Sequence, residues 1–221
     1  MRVYSPLFTV QPVFCEGEPF LLVLENPTVF RLFLEDLHRQ VAGEAGKTVL
    51  SYDDVPVSLA KNAEILEMFT PFDINTKPLL SRIAATMEKA AADERHLMRT
   101  AEILAAVERY LAELCFDLPF RAECRKLSAA SLIKAASVSV AEEHEEPLDE
   151  ILSYFSLVRE LEGDRLFITV NLRSYFEEEP LLRFLHTARS RQFRLLMLEN
   201  WDRGVLPGIR QLIVDRDRCE I

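Results

Sequence analysis

Long apolar segments are missing from this sequence of 221 residues. No run approaches the roughly eighteen consecutive apolar residues that a membrane-spanning helix needs, so no such helix is expected. The first twelve residues, MRVYSPLFTVQP, hold one early arginine but neither a continuous apolar core nor a small-residue cleavage site. We therefore expect no signal peptide and a cytoplasmic location.

Metal-binding and disulfide patterns are also missing. The four cysteines include no CxxC pair, and the four histidines include no HxH or HxxxH pair. This excludes zinc-finger spacing and predicts free thiols in a reducing compartment. No metal-spaced cluster of acids and histidines and no nucleophile with a partner base is evident, so we expect no enzymatic activity. The acidic run at 177–179 suits a helix start instead.

A phosphate-binding loop is missing as well, although residues 43–48 read GEAGKT. That motif requires a glycine four intervening residues before the Gly-Lys pair, and the position is Val41. The context is also inverted, because a helical pattern precedes the glycines and the β-like run Thr48–Tyr52 follows them. We expect a helix–strand turn here and no bound nucleotide.

Positive charge is scarce, with 26 Lys and Arg against 36 Asp and Glu and a net charge of −10. This argues against loose nucleic-acid binding over the whole surface, but it leaves room for a local basic patch. The window 181–198 holds four arginines and no acid. It is therefore the first place to look for function.

The segment Leu166–Leu198 organises the fold prediction. Leu166–Val170 and Phe193–Leu198 are apolar runs that suit strands buried on both faces. Between them, Pro180–Arg189 places apolar residues at helical spacing. Strand, helix and strand within about 35 residues predict a β–α–β unit with parallel strands, and hence the α/β class. The following loop, 199–208, lies where open α/β sheets place their sites.

Other short β-type runs begin the chain and predict antiparallel strands: Leu7–Val10, Val13–Cys15 and Phe20–Leu24. A helix is expected from Pro27, and Arg210–Val214 predicts a last short strand or helical turn. Ser58–Phe69 fits either a helix or a strand. In the loop after Leu198, we expect Trp201 to be a packing residue.

A helical block lies between the β-containing segments. Helical spacing covers three stretches: Leu79–Leu118 with a break near Ala92–Arg95, Ser128–Ala136, and Leu148–Leu161. The block either packs on the sheet or forms an inserted lobe. Our prediction is a lobe over residues 79–163, with an α/β head built from residues 1–78 and 164–221.

Several short blocks carry a family resemblance: FDINTKPLL (72–80), SLIKA (131–135), LMLEN (196–200), LP (206–207) and IVDRD (213–217). Together, in this order and spacing, they resemble the Csn-two family, the small adaptation protein of type II-A CRISPR systems. The resemblance covers essentially the whole chain.

The resemblance implies an ATPase-like sheet head that lacks nucleotide motifs and carries an inserted α-helical leg lobe. It also implies a ring-shaped homotetramer that threads double-stranded DNA, favours free ends and uses calcium. Such proteins serve spacer acquisition alongside the CRISPR integrase proteins and the effector nuclease of the locus.

The calcium segment departs from the family pattern. In the family, the segment before the Ser-Leu-Ile-Lys block is dense in acids that hold calcium, whereas here Glu113, Asp117 and Glu123 remain among several basic residues. Calcium prefers six to eight oxygen ligands. Three carboxylates hold an ion weakly, or Arg125 and Lys126 replace its charge. We expect reduced calcium dependence.

Seven basic residues are candidates for contacts with duplex DNA: Arg125, Lys126, Arg183, Arg189, Arg191, Arg194 and Arg203. Arginine and lysine on phosphates bind a duplex without sequence preference. Arg189 and Arg191 fit equally well as charges that complement a helix C-terminus. The alternative function is a protein–protein adaptor of the adaptation complex with marginal DNA binding.

Overall fold

Eight strands are present in this computed structural model, which describes residues 1–14, 17–141 and 144–221. They are β1 (Arg2–Tyr4), β2 (Phe20–Leu24), β3 (Val49–Tyr52), β4 (Val55–Val57), β5 (Ala63–Leu66), β6 (Leu166–Val170), β7 (Arg194–Glu199) and β8 (Arg210–Val214). Five form one parallel sheet in the order β5-β6-β7-β2-β8, and β1, β3 and β4 form a small antiparallel sheet. The predicted α/β class is confirmed.

Seven α-helices accompany these strands in the described part of the chain. They are α1 (Pro27–Val41), α2 (Leu59–Asn62), α3 (Lys77–Ala91), α4 (Leu97–Phe116), α5 (Ala129–Ala136), α6 (Pro147–Glu162) and α7 (Glu178–Ser190). The predicted break in the long helical stretch separates α3 from α4. The ambiguous segment from Ser58 resolves into both elements, since α2 leads directly into β5. No helix in the described residues is long and apolar enough to cross a membrane.

The predicted β–α–β unit is present as β6, α7 and β7, and its two strands pair in parallel with Ile168 beside Leu196. Both strands are fully buried because helices cover both faces of the sheet. One face packs against α1, whose Phe33 and Leu37 join the core of β2 and β7 side chains. The other face holds an aromatic cluster in which Phe155 of α6 stacks on Phe167 with ring centroids 4.0 Å apart.

The N-terminal runs differ from their prediction. Phe20–Leu24 is not an antiparallel strand but the parallel strand β2, lying between β7 and β8. Five consecutive buried apolar residues suit an interior position with helices on both faces. Leu7–Val10 forms turns and bends rather than a strand, and Val13 makes only an isolated bridge to Arg2. Cys15 lies outside the described residues.

The chain divides into two units, Met1–Phe72 with Glu143–Ile221, and Asp73–Glu142. The first contains both sheets and the second contains α3, α4 and α5. The predicted lobe extended to residue 163, whereas α6 belongs to the sheet unit. The difference has a packing cause, since Ile151, Phe155 and Val158 of α6 are fully buried. A helix with such a face gains more from covering a sheet than from solvent exposure.

Candidate nucleic-acid interface and ion site

The C-terminal end of β7 carries a buried carboxylate, Glu199. Its Oε1 accepts a hydrogen bond from the backbone N–H of Arg173 at 3.0 Å, while its Oε2 has no partner among the described residues. Burial raises the pKa of the Glu199 carboxyl to about 7, against the opposing effects of that hydrogen bond and of the nearby Arg173 and Arg203 charges. The sheet edge where α/β sites commonly lie therefore holds a group that titrates near neutrality.

Arg173 holds the loop that follows β7. Its guanidinium donates to the carbonyl oxygens of Gly204 at 2.9 Å and Arg203 at 3.1 Å. Arg203 itself is exposed and donates to Ser174 Oγ at 3.1 Å. Trp201 is about half exposed, and the Arg216 guanidinium lies 5.1 Å from its ring centroid. The tryptophan thus packs against an arginine at the surface rather than inside a core.

Three arginines lie near the N-terminal end of β7, at the end of the strand opposite to Glu199. We call Arg159, Arg189 and Arg191 the N-edge cluster. Arg159 donates to the Arg191 carbonyl oxygen at 2.6 Å, and its guanidinium lies 4.4 Å from the ring centroid of Phe193. Arg191 donates to Ser156 Oγ at 3.2 Å. Arg189 donates to the Gly208 carbonyl oxygen at 2.7 Å. Within the described residues, none of the three forms an ion pair with an acid.

Two other predicted DNA contacts in the sheet unit, Arg183 and Arg194, are paired with acids. Arg183 is exposed on α7 and pairs with Glu179 at 3.0 Å, one helical turn away. Arg194 has a side chain only 7% exposed, lies 3.7 Å from Asp164 and stands over the ring of Tyr52. A buried and paired guanidinium is poorly placed to reach a phosphate. Arg203 follows the C-terminal end of β7, whereas the N-edge cluster lies at its N-terminal end, and a strand of six residues spans about 17 Å.

The loop after α4, in the second unit, holds the remaining candidates. Arg125 and Lys126 are both exposed. Glu113, Asp117 and Glu123 are exposed too, and Glu123 is paired with Arg121 at 2.8 Å. Among residues 1–14, 17–141 and 144–221, no group of three or more acids, histidines or cysteines is placed to hold a metal ion. The three acids therefore do not fit calcium, which needs converging oxygen ligands.

Calcium titrated into the protein in a calorimeter is expected to give no saturable isotherm of micromolar affinity. The physical reason is that Glu123 is already paired with Arg121 and that the three acids form no group placed to hold a metal ion among the described residues. The matched control is the E113Q/D117N/E123Q variant, which should give the same heats. A one-to-one isotherm in the natural protein that disappears in this variant would show that the loop rearranges around an ion.

The GEAGKT turn is held by a carboxylate instead of a phosphate. Asp36 of α1 accepts hydrogen bonds from the backbone N–H groups of Lys47 at 2.9 Å and Thr48 at 2.7 Å. Burial raises the pKa of Asp36, but the hydrogen bonds from Thr48, Lys47 and Gln40 outweigh it and leave the pKa below its usual value. The turn joins a helix to β3, as predicted.

Two residues of these sites were missed by reasoning from the sequence. Arg159 lies outside the acid-free window and comes to the N-edge cluster through α6, which the sequence placed in the lobe. Glu199 ends a run of four apolar residues, Leu195–Leu198. An acid at the end of a buried strand was the available signal.

Comparison with known proteins agrees with this architecture. A solved structure from Streptococcus thermophilus, described as the crystal structure of Stu0660, superposes with a TM-score of 0.54 over 91% of this chain and 69% of its own, at 12% sequence identity. At this identity the similarity shows the fold alone. A family model described as CRISPR-associated protein (Cas_Csn2) matches residues 40–218, most of the chain. This chain therefore belongs to the Csn2 family of CRISPR-associated proteins.

Proposed function

We propose that this protein binds double-stranded DNA without sequence preference and without catalysis, as part of CRISPR spacer acquisition. Membership of the Csn2 family implies a role in CRISPR adaptation. The observation that carries the DNA-binding proposal is the N-edge cluster. Its three arginines lie at the N-terminal end of β7. Among the described residues none of them forms an ion pair with an acid, although the chain carries a net charge of −10.

The chemistry of these side chains supports phosphate binding. Each guanidinium has five N–H donors, and the hydrogen bonds described for each cluster member use only some of them. Arg189 and Arg191 are exposed, so their remaining donors are open to an anion. Arginine on phosphate oxygens positions a protein on a duplex but carries no sequence information. Binding of this kind is expected to tolerate any sequence.

The C-terminus of α7 offers a second explanation for Arg189 and Arg191, since cations there stabilise a helix by about 0.3–1 kcal/mol. The two roles are compatible, because the dipole acts on the charge and leaves the donors available. Arg125 and Lys126 add two exposed cations in the second unit. We propose that copies of the chain assemble into a homotetrameric ring whose basic residues line the hole, leaving the acids outside.

The proposed absence of nucleotide chemistry rests on the turn after β2. In an ATPase-like sheet, a glycine-rich loop between strand and helix holds the phosphates with its backbone N–H groups. Here Asn26 caps α1, its Oδ1 accepting from Thr28 and Val29, and Pro27 has no N–H to offer. We propose that the head is ATPase-like in topology and that this turn serves packing alone.

The adaptor alternative is supported by the surface of α4. This helix of 20 residues has no buried side chain, and it leaves Met98 73% and Phe116 89% exposed. Exposed apolar side chains of this size favour a protein partner. On this alternative, α4 contacts the CRISPR integrase proteins or the effector nuclease, and DNA binding is marginal.

A mobility-shift comparison of linear and covalently closed duplexes of equal length tests the proposal. Retention of linear DNA alone, with steep loss as salt rises, is the expected result for a ring threaded from a free end and held by phosphate contacts. Equal retention of both forms would support DNA binding but contradict a ring that threads DNA from a free end. Retention of neither, across the salt series, would favour the adaptor.

A further inference from the structure

We propose that Cys115 and Cys124 are a redox-sensitive thiol pair that peroxide closes into an intramolecular disulfide. Their Sγ atoms lie 3.2 Å apart as free thiols. Cys115 is in the last turn of α4 and Cys124 is in the loop that follows it. The proposal is independent of DNA binding, because it rests only on the geometry of this loop.

The fold of the loop explains why the two cysteines meet. Helix α4 ends at Phe116, and Pro119 cannot continue it. Farther along, the backbone N–H of Leu127 donates to Glu108 Oε1 at 2.8 Å, which returns the loop to the side of α4 about two turns above its end. Cys124 comes back beside Cys115 as a result. The contact is therefore produced by an anchored chain reversal.

Little movement is needed to form the bond. A disulfide has a sulfur–sulfur distance of about 2.05 Å, so the two Sγ atoms have to approach by about 1 Å. The loop borders an open cavity of about 880 Å³ whose lining includes both cysteines, which leaves room for this adjustment. Cys124 is exposed and Cys115 is half-buried, so an oxidant in solution meets Cys124 first.

Cys124 carries out the first step of the reaction and Cys115 the second. The thiolate of Cys124 attacks one oxygen of hydrogen peroxide, the O–O bond breaks, and the departing hydroxide takes a proton to become water. Cys124 is then a sulfenic acid. The Cys115 sulfur, after giving up its proton, attacks the Cys124 sulfur; the S–O bond breaks and a second water leaves. Two thiols lose two electrons and peroxide gains them.

The hydrogen bond between the sulfurs suits this order. Together with burial and the neighbouring sulfur's charge, it raises the pKa of the Cys115 thiol, and a smaller thiolate fraction at Cys115 suits the second step. Without an oxidant the pair remains two hydrogen-bonded thiols that pack like small apolar side chains. The disulfide, once formed, would hold residues 116–123 in a covalent loop that includes Arg121 and Glu123.

Peptide mapping of the full-length protein tests the pair directly. Trypsin separates the two cysteines, because Cys115 falls in residues 110–121 and Cys124 in residues 122–125. After stoichiometric peroxide and alkylation, the expected product is these two peptides joined, with a mass about 2 Da below their sum, and separated again by reductant. Cys219, an exposed thiol, serves as internal control and is expected to be oxidised about tenfold more slowly.

Two variants make the result decisive. C219S is expected to form the linked peptides as the natural protein does, and C115S is expected to leave Cys124 as a sulfenic acid that a dimedone probe captures. The proposal is overturned if peroxide leaves Cys115 and Cys124 as separate alkylated or overoxidised peptides. It is equally overturned if both react no faster than Cys219.

Discussion

The double variant R189A/R191A is expected to bind linear duplex DNA about 10- to 30-fold more weakly than the natural protein near physiological salt. Each lost phosphate contact reduces the magnitude of the slope of log affinity against log salt by about 0.9, so two lost contacts reduce it by about 1.8 for each protomer that contacts the duplex. Both side chains are exposed and hydrogen-bonded only to neutral oxygens among the described residues. Mobility shift across a salt series measures affinity and slope together.

The matched control is R31A/R39A on α1. It removes the same charge from exposed residues of the same unit, but Arg31 is paired with Glu35 at 2.7 Å and Arg39 with Glu44 at 3.3 Å. Affinity and slope should stay near those of the natural protein. If both double variants weaken binding equally, overall charge and not the N-edge cluster holds the DNA. If neither does, the cluster serves only the C-terminus of α7.

Replacing Glu199 by glutamine is expected to stabilise the protein at alkaline pH and leave it nearly unchanged at acid pH. The pKa of Glu199 is raised from 4.5 to about 7 in the fold. Between these values the folded state holds one proton that the unfolded chain has lost, so the free energy of unfolding falls as pH rises. The full loss is about 3 kcal/mol, complete above the folded pKa. Glutamine does not ionise, so the variant does not lose this stability at high pH.

Urea unfolding of natural protein and E199Q at about pH 5 and about pH 8.5 measures this difference. The variant should be more stable by about 2–3 kcal/mol at the higher pH only. The control E179Q changes an exposed acid on α7 and should show no pH-dependent difference. If E199Q is less stable than the natural protein at both pH values, the carboxylate is ionised in the fold and Arg173 depends on it.

Short-range pattern was enough to predict the β–α–β unit and the helix boundaries. Leu166–Val170 and Phe193–Leu198 are apolar on both faces, and this signal does not depend on distant parts of the chain. The strand with which each strand pairs does depend on distant parts of the chain. Phe20–Leu24 has the same apolar signature, yet its place between β7 and β8 is set by pairing across most of the chain. The neighbouring short β-type runs suggested antiparallel strands instead.

The candidate site was less predictable, because a cluster of charged residues in the sequence does not specify which side chains face solvent and which are buried. Arg191 and Arg194 are three residues apart, but one is exposed at the end of α7 and the other is buried at the start of β7. A fully buried strand has no alternation from which to read this. Cys115 and Cys124 carry no recognised spacing, and they meet because the loop after α4 turns back on the helix, where Leu127 donates to Glu108.

The interior position of β2 also determines when the sheet can be completed. Residues 25–193 separate β2 from its neighbour β7, and β8 comes later still. During synthesis β2 leaves the ribosome long before either partner, whereas the whole second unit, Asp73–Glu142, is synthesised within that interval together with the partners of its own internal contacts. Until β7 and β8 are synthesised, the five apolar residues of β2 have no strand to pair with. This strand is therefore where association between nascent chains, and the need for a chaperone, would begin.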